Sequence, residues 1–267
     1  MMESSWRIKP ESIPEEQITK TLTADVVILG AGQAGVCAAR ASAENGASVI
    51  VLEKTSQRRH SDNGGGQIGH INSRFLKSMG VPEADVVEFL NDWQLRSNNR
   101  ANTALIANYA KNCGRCFDWL IEPLTEAQRA EIEVRQVPIQ GPAKVTVSGI
   151  STWVGCVLLG RGNQQVSLDY AMNRSIELGA QWLWEISGQY LEQDDTGRVT
   201  SIIARDAEGN YFRCAANKGV LLASGDFSGN PDMCQDLLTE TVDMVPDKKW
   251  TNRGCDGLGI RMGVWAG

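Results

Sequence analysis

Three glycines, Gly30, Gly32 and Gly35, stand in the spacing Gly-x-Gly-x-x-Gly inside the stretch DVVILGAGQAGVCAAR, residues 25–40. The chemistry that this spacing serves is the binding of a dinucleotide pyrophosphate. The first glycine makes a tight turn, the second lets phosphate approach the backbone, and the third lets a helix pack closely on the preceding strand. The N-terminus of that helix then offers N–H groups and a partial positive charge to the anion. Glu53, at the end of the next apolar run, is placed to accept hydrogen bonds from the adenosine ribose hydroxyls, and its charge would repel a 2′-phosphate. This unit alone leaves NAD and FAD both open.

For these residues to meet, residues 24–29 must form a buried strand, residues 32–45 a helix closed at Asn45-Gly46, and SVIVL, residues 48–52, a second buried strand. That is one β-α-β unit in about 30 residues, the length such a unit requires. The first 23 residues are polar, hold Pro10 and Pro14, and read as an arm lying on the surface. After Glu53 comes a glycine-rich polar loop, then helices near residues 83–98 and 103–122. The second of these places Leu105, Ile106, Tyr109, Cys113, Cys116, Phe117 and Leu120 on one stripe. Residues 123–162, with Pro138 and Pro142, read as an irregular excursion, and 163–178 as a helix. The pattern then changes. QWLWE, GQYLEQ, RVTSIIARD and NYFRCAA alternate with turn signals at residues 194–197 and 208–210, as in an antiparallel meander packed as its own small layer. KGVLLASGDFSGN reads as a buried strand running into a loop, with helices from Pro231 and over DGLGIRMGVWAG.

Composition narrows the function classes. The 267 residues are 42% hydrophobic and 22% charged, with a net charge of −6 and no basic run beyond pairs such as Arg58-Arg59 and Lys248-Lys249. That argues against a nucleic-acid partner, which needs a clustered basic face. No apolar run approaches the roughly 20 residues of a membrane span. The first 20 residues carry four Glu and no apolar core, unlike a secretory leader. Seven scattered cysteines read as reduced thiols of a cytoplasm-like compartment; a form exported after loss of a leader is the alternative. Two histidines, His60 and His70, argue against a His-based metal site. Cys113-Gly-Arg-Cys116 has redox spacing, yet it sits on an apolar helical stripe and reads as two core thiols. Trp153, Trp182 and Trp184 read as packing residues.

Four stretches in order carry a resemblance: the loop DNGGGQIGHIN, the meander, GVLLASGDFSGN and NRGCDGLGIRMGVWAG. Together, over about residues 24–267, they resemble the flavoprotein subunits of fumarate reductase and succinate dehydrogenase. They are more closely similar to the soluble flavocytochrome-type fumarate reductases and ketosteroid dehydrogenases of the same FAD-dependent family. The resemblance implies FAD rather than NAD. It also implies an α/β, Rossmann-like FAD-binding fold with a central parallel sheet and a small antiparallel β-meander, here over residues 24–267. Position by position it implies that Ala34 and Gly35 meet the pyrophosphate and Glu53 the ribose, with Lys54 at the strand end. Asn63, Gly64, Gly69 and His70 would line the flavin side, His70 as a loop residue rather than an acid or base. Gly188 and Gln189 fall where the family's backbone contacts adenine. Ser224, Gly225 and Asp226 replace a usual Thr-Gly-Gly, Asp226 being the departure. Asp256 and Gly257 match a Gly-Asp-Gly stretch near the ribityl chain and ring. Asn63 occupies the position of the histidine that bonds covalently to flavin in the membrane-bound enzymes, so FAD is expected to be non-covalent.

The activity implied is reduction or formation of a C–C double bond in a small unsaturated acid or steroid-like molecule, with an external electron donor or acceptor. In the family a substrate-capping domain and a return segment follow the last of these stretches and carry the catalytic arginines and histidine. No residue of this chain maps onto them, so the 267 residues alone are expected to bind cofactor without turning over fumarate. The alternative expectation is a truncated nucleotide-binding remnant with no activity.

Overall fold

Residues 27–29 and 49–52 are apolar on both faces, which suits strands covered from both sides. The computed structural model describes residues 5–56, 66–135, 144–147, 150–153, 156–238 and 254–267, and it sets these runs in the middle of one sheet. In chain order the strands are β1 (Ile18–Leu29), β2 (Val49–Glu53), β3 (Gln67–Gly69), β4 (Glu133–Arg135), β5 (Lys144–Val147), β6 (Ile150–Trp153), β7 (Cys156–Leu158), β8 (Gln181–Trp184), β9 (Ser187–Gln193), β10 (Val199–Arg205) and β11 (Tyr211–Leu222). The helices are α1 (Gln33–Glu44), α2 (Arg74–Ser78), α3 (Val86–Arg96), α4 (Thr103–Leu120), α5 (Glu126–Ala130), α6 (Arg161–Glu177), α7 (Pro231–Leu237) and α8 (Leu258–Ala266). The chain divides into two units, residues 1–63 with 171–267, and residues 64–170. Among the described residues no helix is long and apolar enough to cross a membrane.

The first unit holds a six-stranded sheet in the order β8-β2-β1-β11-β10-β9. β1 runs parallel to both β2 and β11, pairing Val27 with Ile50 and with Val220. Successive side chains point to opposite faces. Ile28, Val49 and Val51 therefore pack with Ala39 and Ala43 of α1. Val27, Leu29, Ile50 and Leu52 pack instead with Leu191, Ile202, Phe212 and Met262. A register slip of one residue would exchange the two sets, so the pairing is strongly specified. Alanines on the inner face of α1 let it lie close to the strands.

Three expectations need correction. Strand β1 begins at Ile18, so the surface arm expected over residues 1–23 ends where Thr19, Thr21 and Thr23 already pair alongside β11. Its first half is polar because one face stays exposed, and such alternation looks like an arm when no partner strand is in view. QWLWE leaves the meander: β8 is the parallel edge strand beside β2. The meander is also no separate layer. The twelve residues of β11 pair antiparallel with β10 at Tyr211–Ala215 while pairing along β1, so β9 and β10 extend the central sheet.

In the second unit β3, β7 and β4 form a small antiparallel sheet, and β5 pairs with β6. Asn102 caps α4 by accepting the Ala104 and Leu105 N–H groups. The buried stripe of α4 is Ile106, Ala110, Cys113, Phe117 and Leu120, while Leu105 and Cys116 face outward. The expectation of two core thiols thus holds for Cys113 and fails for Cys116: at about 100° per residue Cys116 lies roughly 80° around the helix from the line of Ile106 and Phe117, beyond the edge of the buried stripe. Gly114 is where the loop after β3 rests on the helix. A Cβ there would lie 2.4 Å from the Ile71 carbonyl oxygen and 2.7 Å from that of Asn72. Beside it the Cys113 sulfur accepts the Ile71 N–H at 3.4 Å.

Replacing Gly114 with alanine should therefore destabilise the chain by about 1–3 kcal/mol, because backbone must shift to admit a methyl group. Gly263→Ala, in α8 with nothing within 4 Å of the new Cβ, should instead stabilise it by about 0.5–1 kcal/mol. Urea unfolding of both variants checks the pair, and equal effects would contradict the packing described.

Candidate functional site

The turn from β1 into α1 is built by backbone contact. Gly30 has φ +105°, in the left-handed region that disfavours side chains, and a Cβ on it would stand 2.5 Å from the Ala223 carbonyl oxygen. A Cβ on Gly35 would stand 1.9 Å from the Gly30 carbonyl oxygen, so helix, turn and the end of β11 close on one another without side chains between them. Gly32 is the N-cap of α1, and among the described residues no side chain caps it. Ala34 is exposed on the first turn. This leaves a twelve-residue helix with its N-terminus presented for an anion.

Glu53 at the end of β2 faces this turn. One carboxylate oxygen accepts the Ala31 N–H at 2.7 Å, and the other accepts the Thr55 N–H at 2.9 Å and its hydroxyl at 2.8 Å. Three of about four acceptor positions on a carboxylate are thereby used, which orients it and leaves one for an incoming hydroxyl. Lys54 reaches the segment ahead of α8. Its ammonium donates to the Gly254 carbonyl and lies 3.9 Å from Asp256. Asp256 accepts the Leu258 N–H at 3.1 Å, ahead of α8, and lies 3.6 Å from the Arg261 guanidinium. Ser224 accepts the Gly259 N–H at 2.9 Å, which pins α8 to the end of β11.

These groups enclose a cavity of about 220 Å³. Its lining includes Gly30, Glu53, Lys54, Gly188, Gln189, Ser224 and Asp256, all named from sequence. Ile186, Ser187 and Leu258 line it as well and were missed. The corner that carries Ile186 and Ser187 is tied down by Ile186 N–H donating to the Glu53 carbonyl at 2.9 Å and Glu185 N–H to the Thr55 carbonyl at 3.2 Å. Glu185 adopts φ +59°, uncommon for a residue with a side chain, and no sequence motif announces it. Gly188 is buried because Met262 and Leu29 fill the space where its Cβ would be, at 2.9 and 3.0 Å. Gly257 opens α8 with φ +73°. Asp226, the departure from the family pattern, fits without strain: the positive φ falls on Gly225 instead. The Asp226 carboxylate accepts the Ser228 N–H at 2.7 Å, a contact that holds its carboxyl below the usual range, and its carbonyl accepts the Gly257 N–H at 3.0 Å.

Of the remaining residues expected at the site, Asn63 and Gly64 lie outside the described residues. Gly69 and His70 belong to the second unit, where Gly69 is exposed and its carbonyl accepts the Tyr109 hydroxyl at 2.7 Å. His70 is 2% exposed, stacked on Phe117 at 3.9 Å between ring centroids, with Nε2 2.8 Å from the Ser73 hydroxyl. That hydroxyl also accepts the Leu76 N–H at 2.9 Å, so it ties the imidazole to the first turn of α2. Nδ1 lies near the Ile68 backbone without a well-formed hydrogen bond among the described residues.

The sequence matches the family described as FAD binding domain over residues 25–267. It is 28% identical over 237 residues to a vinyl phenol reductase of Lactiplantibacillus plantarum, covering 88% of this chain and 44% of that protein. It is 27% identical over 211 residues to a fumarate reductase (cytochrome) of Shewanella frigidimarina, covering 78% of this chain and 34% of that one. The chain spans less than half the length of these curated relatives. In fold it is similar to a 3-ketosteroid-Δ4-(5α)-dehydrogenase of Rhodococcus jostii, with a TM-score of 0.74 and 22% identity over 97% of this chain and 57% of that one.

Burial of His70 gives the protein an acid sensitivity that can be measured. Desolvation lowers its pKa from 6.5 to about 4. Between those values the unfolded chain binds the proton and the folded one does not, so stability is complete above pH 6.5 and falls as the pH drops towards 4. One proton contributes about 1.4 kcal/mol per pH unit, up to about 3 kcal/mol across that window. His70→Gln should lose less stability than the natural chain between pH 7 and 4.5 in urea titrations; parallel losses would show that the imidazole is not buried in its neutral form.

Proposed function

The chain belongs to the FAD binding domain family, and from that premise we propose that it is the cofactor-holding part of a flavin-dependent oxidoreductase acting on an activated C–C double bond. One observation carries the assignment to residues: Gly30, Glu53, Lys54, Gly188, Gln189, Ser224 and Asp256 come from five separate stretches of sequence and meet around a single cavity in the first unit. The donor set suits FAD. The uncapped N-terminus of α1, with Gly32 and Ala34 at its surface, would take the pyrophosphate. The free acceptor position of Glu53 would take one ribose hydroxyl, and the oriented carboxylate would repel a 2′-phosphate. The backbone at Gly188 and Gln189 would border adenine. Ser224-Gly225 and Asp256-Gly257 would border the chain leading towards the flavin ring, with Lys54 holding the Asp256 loop in place.

The chemistry expected of the bound flavin is hydride transfer to, or from, a polarised C–C bond. The names of the relatives, a vinyl phenol reductase and a fumarate reductase, support a small unsaturated substrate, with an external electron donor or acceptor. An unsaturated acid is the class we favour, with a steroid-like molecule as the alternative within the same reaction type. Asn63, standing where a covalently bonding histidine is found in related membrane-bound enzymes, supports a non-covalent cofactor.

Two measurements check this. Acid precipitation of the FAD-loaded chain should leave the yellow colour in the supernatant; colour retained in the pellet would mean a covalent bond. Glu53→Ala should weaken FAD binding by roughly ten- to a hundredfold, the effect of losing one charge-assisted hydrogen bond of about 1.5–3 kcal/mol, whereas Cys116→Ser should leave it unchanged. Equal effects in a fluorescence titration would place the cofactor elsewhere.

A further inference from the structure

Residues 5–17 of the first unit line no part of the nucleotide cavity among the described residues, yet they bond to α7, α8, β9 and β11. Trp6 sits in a single 3-10 turn, Ser5–Arg7, and is 4% exposed. Its indole N–H donates to Asp236 at 2.7 Å, and its carbonyl accepts the indole N–H of Trp265 at 3.0 Å. The Ser5 hydroxyl donates to Asp232 at 3.0 Å. Asp232 and Asp236 lie one turn apart on α7 and Trp265 lies on α8, so one residue joins two helices that are otherwise 20 residues apart in sequence. Farther along, the Ile13 N–H donates to the Tyr190 hydroxyl at 2.7 Å and Glu15 pairs with Arg213 at 2.6 Å. The chain then enters β1, whose opposite end is the glycine turn.

The position of α8 sets the cavity wall. Leu258 and Asp256 line it, and Met262 presses against Gly188 from behind. We propose that residues 5–17 form a clasp, with Trp6 as its positioning residue, that holds α7 and α8 where Asp256 and Leu258 face the nucleotide, so that clasp closure and FAD binding stabilise each other. The proposal rests on the FAD site described above and adds a residue that touches neither cofactor nor substrate. Coupling between two sites is reciprocal. Whatever factor clasp loss removes from FAD affinity, FAD binding must add to clasp closure.

The test measures both sides. FAD titration by flavin fluorescence should give a dissociation constant raised at least tenfold in Trp6→Ala, with far-UV circular dichroism preserved. Trp6→Phe, which keeps the ring and loses the N–H to Asp236, should recover most of that affinity. In the natural chain, saturating FAD should slow tryptic cleavage after Arg7 by a similar factor to the affinity lost in Trp6→Ala. An unchanged dissociation constant in Trp6→Ala, or cleavage indifferent to FAD, overturns the clasp. Should Trp6→Ala fail to fold, cleavage of the natural chain decides alone. A natural chain that takes up no FAD at all overturns the cofactor reading itself, and this is seen before any variant is compared.

Discussion

The structure of the first unit depends on one close approach. At Gly30, Gly35 and Ala223 the end of β1, the first turn of α1 and the end of β11 meet backbone to backbone, at separations where a single methyl group would collide with a carbonyl oxygen. Side chains cannot be substituted into such a contact without displacing one of the three elements. Because the elements are fixed there, everything attached to them is fixed as well: the N-terminus of α1, the Glu53 carboxylate that closes on Ala31, and the loop that begins at Ser224.

Around this point the polar groups hold one another before any ligand arrives. Glu53 is oriented by three hydrogen bonds, and Asp256 lies between Lys54 and Arg261 while ordering the start of α8. Pre-orientation lowers the entropy lost when a ligand is bound. Asp256 is nearly half exposed, so its ion pairs add little stability of their own, and their value is geometric. Asp226 shows the same economy, since its carboxylate serves the turn and its carbonyl the start of α8, with the strained conformation left to Gly225.

The second unit repeats the logic of the missing side chain in a helix. Gly114 in mid-α4 gives up helix propensity and admits the Ile71-Asn72 backbone, with the Cys113 sulfur alongside as acceptor. The Cys-x-x-Cys pair, read from sequence as two core thiols, is a packing seat at Cys113 and an exposed thiol at Cys116.

The residues legible in sequence were those whose roles are local. Gly30, Gly32, Gly35 and Glu53 lie within one β-α-β unit, where strand, turn and helix follow from the order of apolar runs and glycines, and the unbroken apolar run Val27-Ile28-Leu29 already states that both faces are buried. What covers those faces, and which distant group answers each polar side chain, was decided only by the tertiary structure. Lys54 meets a carbonyl 200 residues away, Trp6 reaches Asp236 across 230 residues, and β8 joins the parallel edge instead of the meander. Periodicity records how much of a segment is buried and carries no label for the partner. Sheet order and helix position supply that label, because only they bring distant backbone and side-chain groups within the roughly 3 Å at which a hydrogen bond forms.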